Sequence, residues 1–171
     1  KAALQIRPSL NKAQPIPMFR HLLVPTDGSA MSEGTVKRAV RFAKEAGAQI
    51  TFFYAQESFY GRTDVALFGE GIAIDPSLNE AFAKANTDYA NSILEEARRQ
   101  AEAAGVACST STSVHPVIYE AIIEAATANH CDLIFMASHG RRGLAGLLLG
   151  SETQRVLTHA EIPVLIYREP Q

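Results

Sequence analysis

Apolar residues fall along this chain in two alternating patterns. Short runs in which most positions are apolar are separated by longer stretches in which apolar residues recur every three or four positions. The first run, Phe19-Arg20-His21-Leu22-Leu23-Val24-Pro25, has the length of a strand and ends on proline, as a strand does at its carboxyl end. Thr26-Asp27-Gly28-Ser29 then makes a tight loop, with Gly28 able to take a positive φ. From about Ser32 onward, Val36, Val40, Ala43 and Ala46 share one face of a helix that Gly47 stops. Residues 49–55, with Ile50, Phe52, Phe53 and Tyr54, predict a buried second strand. Residues 56–76 are irregular and long for a connection inside a compact domain, which predicts a lid or an insert. The longest stripe follows, through Leu78, Phe82, Ala85, Tyr89, Ile93, Ala97 and Ala101, up to Gly105. Residues 106–114 alternate and are rich in Ser and Thr, as an edge strand is. Pro116 opens a third helix carrying Ile118, Ile122, Ala125 and Ala126, and residues 133–137 read as a strand buried on both faces. Ser151 begins the last helix, and residues 163–167 form the fifth strand.

Strand and helix therefore alternate from end to end. Crossovers of this length bring parallel strands together by right-handed connections, and the helices cover both faces of the sheet. The fold class is α/β, a single doubly wound domain. In such folds ligands sit outside the carboxyl ends of the strands, where the order of connection reverses. The loop 26–29 and the loop 138–151 are the places where chemistry is expected.

Composition narrows the function classes. The chain has 171 residues and 18.5 kDa, enough to bury roughly two thirds of the unfolded surface without disulfide or metal. With 47% hydrophobic and 20% charged residues it is no disordered chain. No apolar run approaches the ~20 residues of a membrane span, so no membrane partner is expected. Sixteen basic against eighteen acidic residues, a net charge of −2, argue against a protein that coats nucleic acid. Cys108 and Cys131 suit a reducing, cytoplasmic compartment and make neither a disulfide framework nor a zinc site. Residues 1–17 are polar, carry Pro8, Pro15 and Pro17, and lack the apolar core of a secretory signal. They read as an extension or cloning remnant, with Met18 as the natural start and the domain over residues 18–171.

The informative stretch runs from Ala137 through Ser138, His139, Gly140, Arg141, Arg142 and Gly143 to Gly150 and Ser151. It leaves a buried strand, passes four glycines and enters a helix. Ser151 and Gln154 have capping-box spacing, and the N–H groups of Glu152 and Thr153 point out of the helix end. With the helix dipole these form an anion site that glycine lets a phosphate approach, and Arg141 and Arg142 add charge. The alternative is that Gly140 and Gly150 serve only a tight turn and an N-cap. Competing motifs fail. The P-loop pattern is absent, Gly69-Glu70-Gly71 follows no strand, and Gly140-Arg141-Arg142-Gly143 follows a strand rather than joining two helices as a nucleic-acid clamp does. Asp27 and His139 are the only candidates to activate a water, and neither belongs to a recognisable catalytic constellation.

These segments resemble the universal stress protein signature Gly-x2-Gly-x9-Gly-[Ser/Thr]. Gly140, nine intervening residues and Gly150-Ser151 match it, with Ala137 in the place of the first glycine. Val24-Pro25-Thr26-Asp27-Gly28-Ser29 is similar to the family's first strand and loop, and Ile162-Pro163-Val164-Leu165-Ile166-Tyr167-Arg168 to its closing strand. The resemblance implies a Rossmann-like, five-stranded parallel sheet in the order 3-2-1-4-5 and a stress-response protein that binds ATP. It implies that Asp27 contacts the adenosine end, while Pro25, Thr26 and Ala55 border the adenine and Met136 packs beside it. Asp27 can equally accept the N–H of Ser29 in an Asx-turn. Ala137, His139, Gly140, Arg142, Gly150, Ser151, Glu152 and Thr153 would complete the phosphate end, with Mg held by the phosphates rather than by protein ligands. Two further departures from the family pattern are Glu152 on the phosphate-facing turn and His115 in place of a frequent glycine. The implied assembly is a homodimer through the strand 163–167, one set of whose residues faces the protomer's helices while the other meets the partner. A binder with little or no hydrolysis is the favoured reading. A dimeric adaptor with an empty pocket and a weak ATPase are the alternatives.

Overall fold

The computed structural model describes residues 18–56, 76–139 and 149–168, with side chains from residue 80 onward in the second helix. The expected lid at residues 57–75 and the segment 1–17 lie outside the described residues. Among the described residues five strands and four helices alternate: β1 (His21–Pro25), α1 (Ala30–Ala46), β2 (Gln49–Gln56), α2 (Pro76–Ala104), β3 (Cys108–Val114), α3 (Ile118–Ala128), β4 (Leu133–Ala137), α4 (Ser151–His159) and β5 (Val164–Tyr167). All strand pairings are parallel, and the order is β3-β2-β1-β4-β5, as the sequence reading expects. The chain steps from β1 toward β2 and β3, then crosses back past β1 to β4. That reversal places the switch point between β1 and β4.

The sheet separates two cores. On one face Leu22, Val24, Ile50, Phe52 and Phe135 pack against Val36 and Val40 of α1 and Leu94 and Ala97 of α2. On the other, Leu23, Phe53, Ile134 and Met136 pack against Ile122 of α3 and Val156 of α4. Side chains from β1, β2 and β4 fill both cores, which is why these strands read as unbroken apolar runs. Each fully buried Leu, Ile or Phe contributes about 1.5–3 kcal/mol, so removing one of these central side chains threatens the whole fold.

Polar groups set the amino-terminal end of the sheet. The Asp132 carboxylate accepts the N–H groups of Arg20 (2.8 Å) and His21 (3.0 Å), tying the start of β1 to that of β4. His21 Nε2 lies 2.7 Å from Thr51 Oγ1, which lies 2.9 Å from Ser109 Oγ, so a hydrogen-bonded line crosses β1, β2 and β3. Cys131 is buried and Cys108 half-buried, and neither forms a disulfide. Burial pushes the Cys131 thiol up to about 11, which keeps it protonated and inert. No helix among the described residues is long and apolar enough to cross a membrane.

Several boundaries differ from the sequence reading. Helix α1 starts at Ala30 rather than near Ser32, because Ser29 is the N-cap and its hydroxyl accepts the Ser32 N–H. Helix α3 starts at Ile118 rather than Pro116. Val117 is extended, with φ −124° and ψ 108°, and its N–H goes to His115 Nδ1 at 3.0 Å. Strand β3 starts at Cys108, because the Val106 N–H still closes the end of α2 on Ala101 O at 2.9 Å. In β5, Leu165 and Tyr167 pack against one core and Val164 and Ile166 against the other. All four remain partly exposed.

Candidate functional site

The loop after β1 is held by local hydrogen bonds. The Thr26 N–H extends the ladder to Phe53 O (2.9 Å), and the buried Thr26 hydroxyl lies 3.1 Å from Ser32 Oγ in the first turn of α1. Asp27 Oδ1 accepts the Ser29 N–H at 3.0 Å, the expected Asx-turn. Gly28 takes φ +75°, and a Cβ there would stand 2.6 Å from Ile93 Cδ1 and 3.4 Å from the Tyr89 hydroxyl. Helix α2 therefore closes over this loop. Tyr89, edge-on to Tyr54 with ring centroids 6.1 Å apart, brings its hydroxyl beside Gly28. The sequence placed Tyr89 on the α2 stripe, but the periodicity of one helix does not tell which turn passes over which loop.

The second loop leaves β4 beside the first. Ser138 Oγ reaches Met31 Sδ of α1 at 3.9 Å. The chain is then fastened to α4 by two bonds: the Gly150 N–H donates to Ser138 O (2.8 Å), and the Thr153 hydroxyl donates to Ala137 O (3.1 Å). Gly150, not Ser151, is the N-cap. The expected capping box is absent because helical dihedrals begin only at Ser151, and the N-cap, Gly150, has no side chain to cap with. The first bond of α4 runs from Gln154 N–H to Gly150 O (3.0 Å), so the N–H groups of Ser151, Glu152 and Thr153 precede the ladder.

Gly150 has φ −71° and ψ 158°, extended backbone that any residue adopts. A Cβ there would lie 3.4 Å from His139 Cα and 3.5 Å from Ser138 O, ordinary contact distances. Gly150 is the N-cap, as the alternative reading has it, but neither its dihedrals nor its packing against the described residues requires glycine there rather than another N-cap residue. His139 is only 6% exposed. Its Nδ1 lies 3.1 Å from Ser138 Oγ, and its Nε2 is buried with no hydrogen-bond partner. A buried orphan of this kind costs about 1–3 kcal/mol unless something satisfies it.

Glu152 turns away from its own helix end. Its Oε2 accepts the Tyr119 N–H at 2.9 Å, while its Oε1 lies 3.6 Å from Arg155 Nη1. Helix α3 has no side-chain cap from Val117, so Glu152 supplies one from a neighbouring helix. Arg155 in turn lies over the Tyr119 ring, 5.6 Å from its centroid.

The switch point thus gathers Pro25, Thr26, Asp27, Ala137, His139, Gly150, Ser151, Glu152 and Thr153 from the loops and ends of β1, β4 and α4. Ala55 stands near the carboxyl end of neighbouring β2, half-buried. Met136 is fully committed to the second core. Gly140 and Arg142 lie outside the described residues, as does Arg141. Among the described residues no group of three or more His, Cys, Asp or Glu could hold a metal ion.

Comparison with known proteins adds an independent line. A model of the universal stress protein family matches residues 18–168. The chain is similar to universal stress protein MJ0531 of Methanocaldococcus jannaschii, 30% identical over 154 residues, covering 90% of this chain and 85% of that protein. The solved structure of MJ0577 superimposes with a TM-score of 0.73 at 23% identity, covering 90% of this chain and 99% of that one. A universal stress protein crystallised in complex with cAMP gives a TM-score of 0.62 at 27% identity, covering 89% and 99%. Two more distant members, from Archaeoglobus fulgidus with dAMP and Arabidopsis thaliana with AMP bound, give 0.59 and 0.56 at 16% and 17% identity, covering 87% and 98% and then 88% and 92%.

Proposed function

The chain belongs to the universal stress protein family, and on that premise we propose that it is a regulatory protein that binds an adenine nucleotide at the loops after β1 and β4, with little or no hydrolysis. The observation that carries this reading is Gly150. Its backbone needs no glycine and its neighbours leave room for a Cβ, so a reason for glycine is sought outside the chain. The N–H groups of Ser151, Glu152 and Thr153, which precede the helical ladder, stand beside it and favour an anion. The orphaned His139 Nε2 supplies a further polar group in want of a partner. Solved relatives with cAMP, dAMP and AMP make an adenine nucleotide the natural candidate for that anion. ATP extends the same chemistry, with Mg carried by its phosphates. Asp27, Pro25, Thr26 and Ala55 then border the nucleoside and the α4 turn takes the phosphates. Binding rather than turnover is the favoured reading, because neither Asp27, whose Oδ1 accepts the Ser29 N–H, nor His139 belongs to a recognisable catalytic constellation.

Calorimetric titration with AMP and with ATP, with and without Mg, tests the reading. Saturable binding of either nucleotide supports it. No heat at millimolar nucleotide would leave the adaptor with an empty pocket. Phosphate release under ATP excess separates binder from ATPase.

The same reading includes a homodimer through residues 163–167. Ile134 N–H donates to Pro163 O and Ser138 N–H to Tyr167 O, so the odd-numbered residues of β5 bond inward to β4. By alternation the backbone groups of Val164 and Ile166 face the open edge, where a two-fold antiparallel copy would pair. Ile166→Pro removes one outward N–H per protomer and spares the bonds to β4. Two lost hydrogen bonds at about 0.5–1.5 kcal/mol each should weaken the dimer roughly 5- to 150-fold, read by sedimentation. A wild-type protein that sediments as a monomer at micromolar concentration ends the dimer reading.

A further inference from the structure

The proposed phosphate end carries one fixed negative charge, and the geometry holds it in place. Glu152 supplies both an N–H that precedes the α4 ladder and, within its own side-chain length of that N–H, a carboxylate. A free surface glutamate would swing away from an arriving phosphate. This one is pinned, because its Oε2 accepts the Tyr119 N–H at 2.9 Å and caps α3, which Val117 leaves uncapped. We infer that Glu152 makes the site discriminate by ligand charge, favouring a nucleoside monophosphate over a metal-free triphosphate. The inference rests on the reading of the α4 end as a phosphate site, which the Gly150 cradle and the unpartnered His139 Nε2 support independently of Glu152.

The electrostatics set the direction. A monophosphate and a metal-free triphosphate offer the same first phosphate to the N–H groups, but the triphosphate adds two further negative charges. Each is repelled by the carboxylate, and half-buried charges interact more strongly than charges in bulk water. Magnesium returns ATP to nearly the net charge of AMP and removes most of the difference. Arg155 offsets Glu152 only in part. Its Nη1 is 3.6 Å from Oε1, beyond hydrogen-bond distance, and its guanidinium is spread over the Tyr119 ring.

The experiment titrates the full chain with AMP, with ATP in EDTA and with ATP in excess Mg, for the wild type, Glu152→Gln and Glu152→Ala. Glutamine keeps an oxygen for the Tyr119 N–H and loses only the charge. It should raise affinity for metal-free ATP roughly tenfold and for AMP no more than about threefold, with a smaller gain for ATP in Mg. Glu152→Ala should shift the ATP-to-AMP ratio the same way while also lowering the melting temperature through the lost cap. Equal changes for AMP and ATP, or a ratio that moves only in Glu152→Ala, would overturn the charge argument and leave Glu152 as a cap alone. If no nucleotide binds any of the three proteins, the phosphate reading itself fails and the inference falls with it.

Discussion

Gly150→Ser separates what the fold asks of residue 150 from what a ligand asks. The backbone at Gly150 already has N-cap dihedrals, φ −71° and ψ 158°, and serine is among the best N-cap residues. Its Cβ would make ordinary contacts, 3.4 Å to His139 Cα, 3.5 Å to Ser138 O and 3.8 Å to Thr153 Oγ1. Its hydroxyl would accept one of the N–H groups that now precede the ladder. Glycine is worse than serine at an N-cap by a few tenths of a kcal/mol, so the fold should gain about that much. For a domain of this size that is a rise in melting temperature of about 1 °C.

The ligand experiences the opposite. The new side chain fills the space a phosphate would use and consumes one of its donors. A hydrogen bond to a charged group contributes about 1.5–3 kcal/mol, so nucleotide affinity should fall roughly 10- to 150-fold. Differential scanning fluorimetry without ligand and calorimetry with AMP read the two effects on one preparation. A variant that is more stable and binds worse agrees with the reasoning. If the wild type binds AMP and Gly150→Ser binds it within twofold, the glycine is not there for the nucleotide and the central observation behind the proposed function is void.

Gly28→Ala should be costly for a different reason. The left-handed φ of +75° costs alanine about 1–2 kcal/mol, and a Cβ 2.6 Å from Ile93 Cδ1 and 2.9 Å from Cγ1 forces that side chain to move. A loss of about 2–3 kcal/mol in urea unfolding is expected, and pairing it with Ile93→Ala should make the two effects less than additive; a loss under about 0.5 kcal/mol, within the range of an ordinary surface change, contradicts the geometry. Acid should weaken the fold through His21. Burial holds its imidazole below the ordinary 6.5, against the pull of Asp132 and with a further push from His130. The unfolded chain then takes up the proton more readily, so this contribution is complete above about pH 6.5 and is lost as pH falls through the folded value. His21→Gln should flatten the decline in stability between about pH 7 and pH 5, and parallel curves for the two proteins would refute the assignment.

What the sequence made legible was whatever depends on neighbours along the chain. Strands buried on both faces leave unbroken apolar runs, so β1, β2 and β4 stood out, and a long helical stripe leaves its period, so α2 did too. Strand order needed the family resemblance as well, because alternation alone does not say on which side of β1 each strand lands. The site was legible as two loops and a glycine-rich signature, since both follow directly on strand ends. The roles of individual side chains there were not. Whether Ser151 or Gly150 caps α4 turns on one pair of dihedrals that the Ser138 to Gly150 bond imposes. That Tyr89 stands over Gly28 depends on how α2 lies across α1.

Glu152 shows the limit most plainly. From sequence its carboxylate could face a phosphate or turn outward, and an acid in the first turn of a helix suits that helix's own dipole without deciding between them. The structure adds a competitor from 33 residues away, the uncapped amino end of α3, whose Tyr119 N–H takes Oε2. Two helix ends meet at one acid, and the acid joins α3 to α4 instead of closing its own helix. The departure from the family pattern at residue 152 thus has a structural use that needs no ligand, whereas the N-cap that Gly150 supplies to α4 is one that serine would supply as well. A residue with a role inside the fold constrains the ligand only indirectly, by its charge. A position where the fold does not insist on glycine is where a ligand's demand would show, which makes Gly150 rather than Glu152 the firmer support for the proposed nucleotide site.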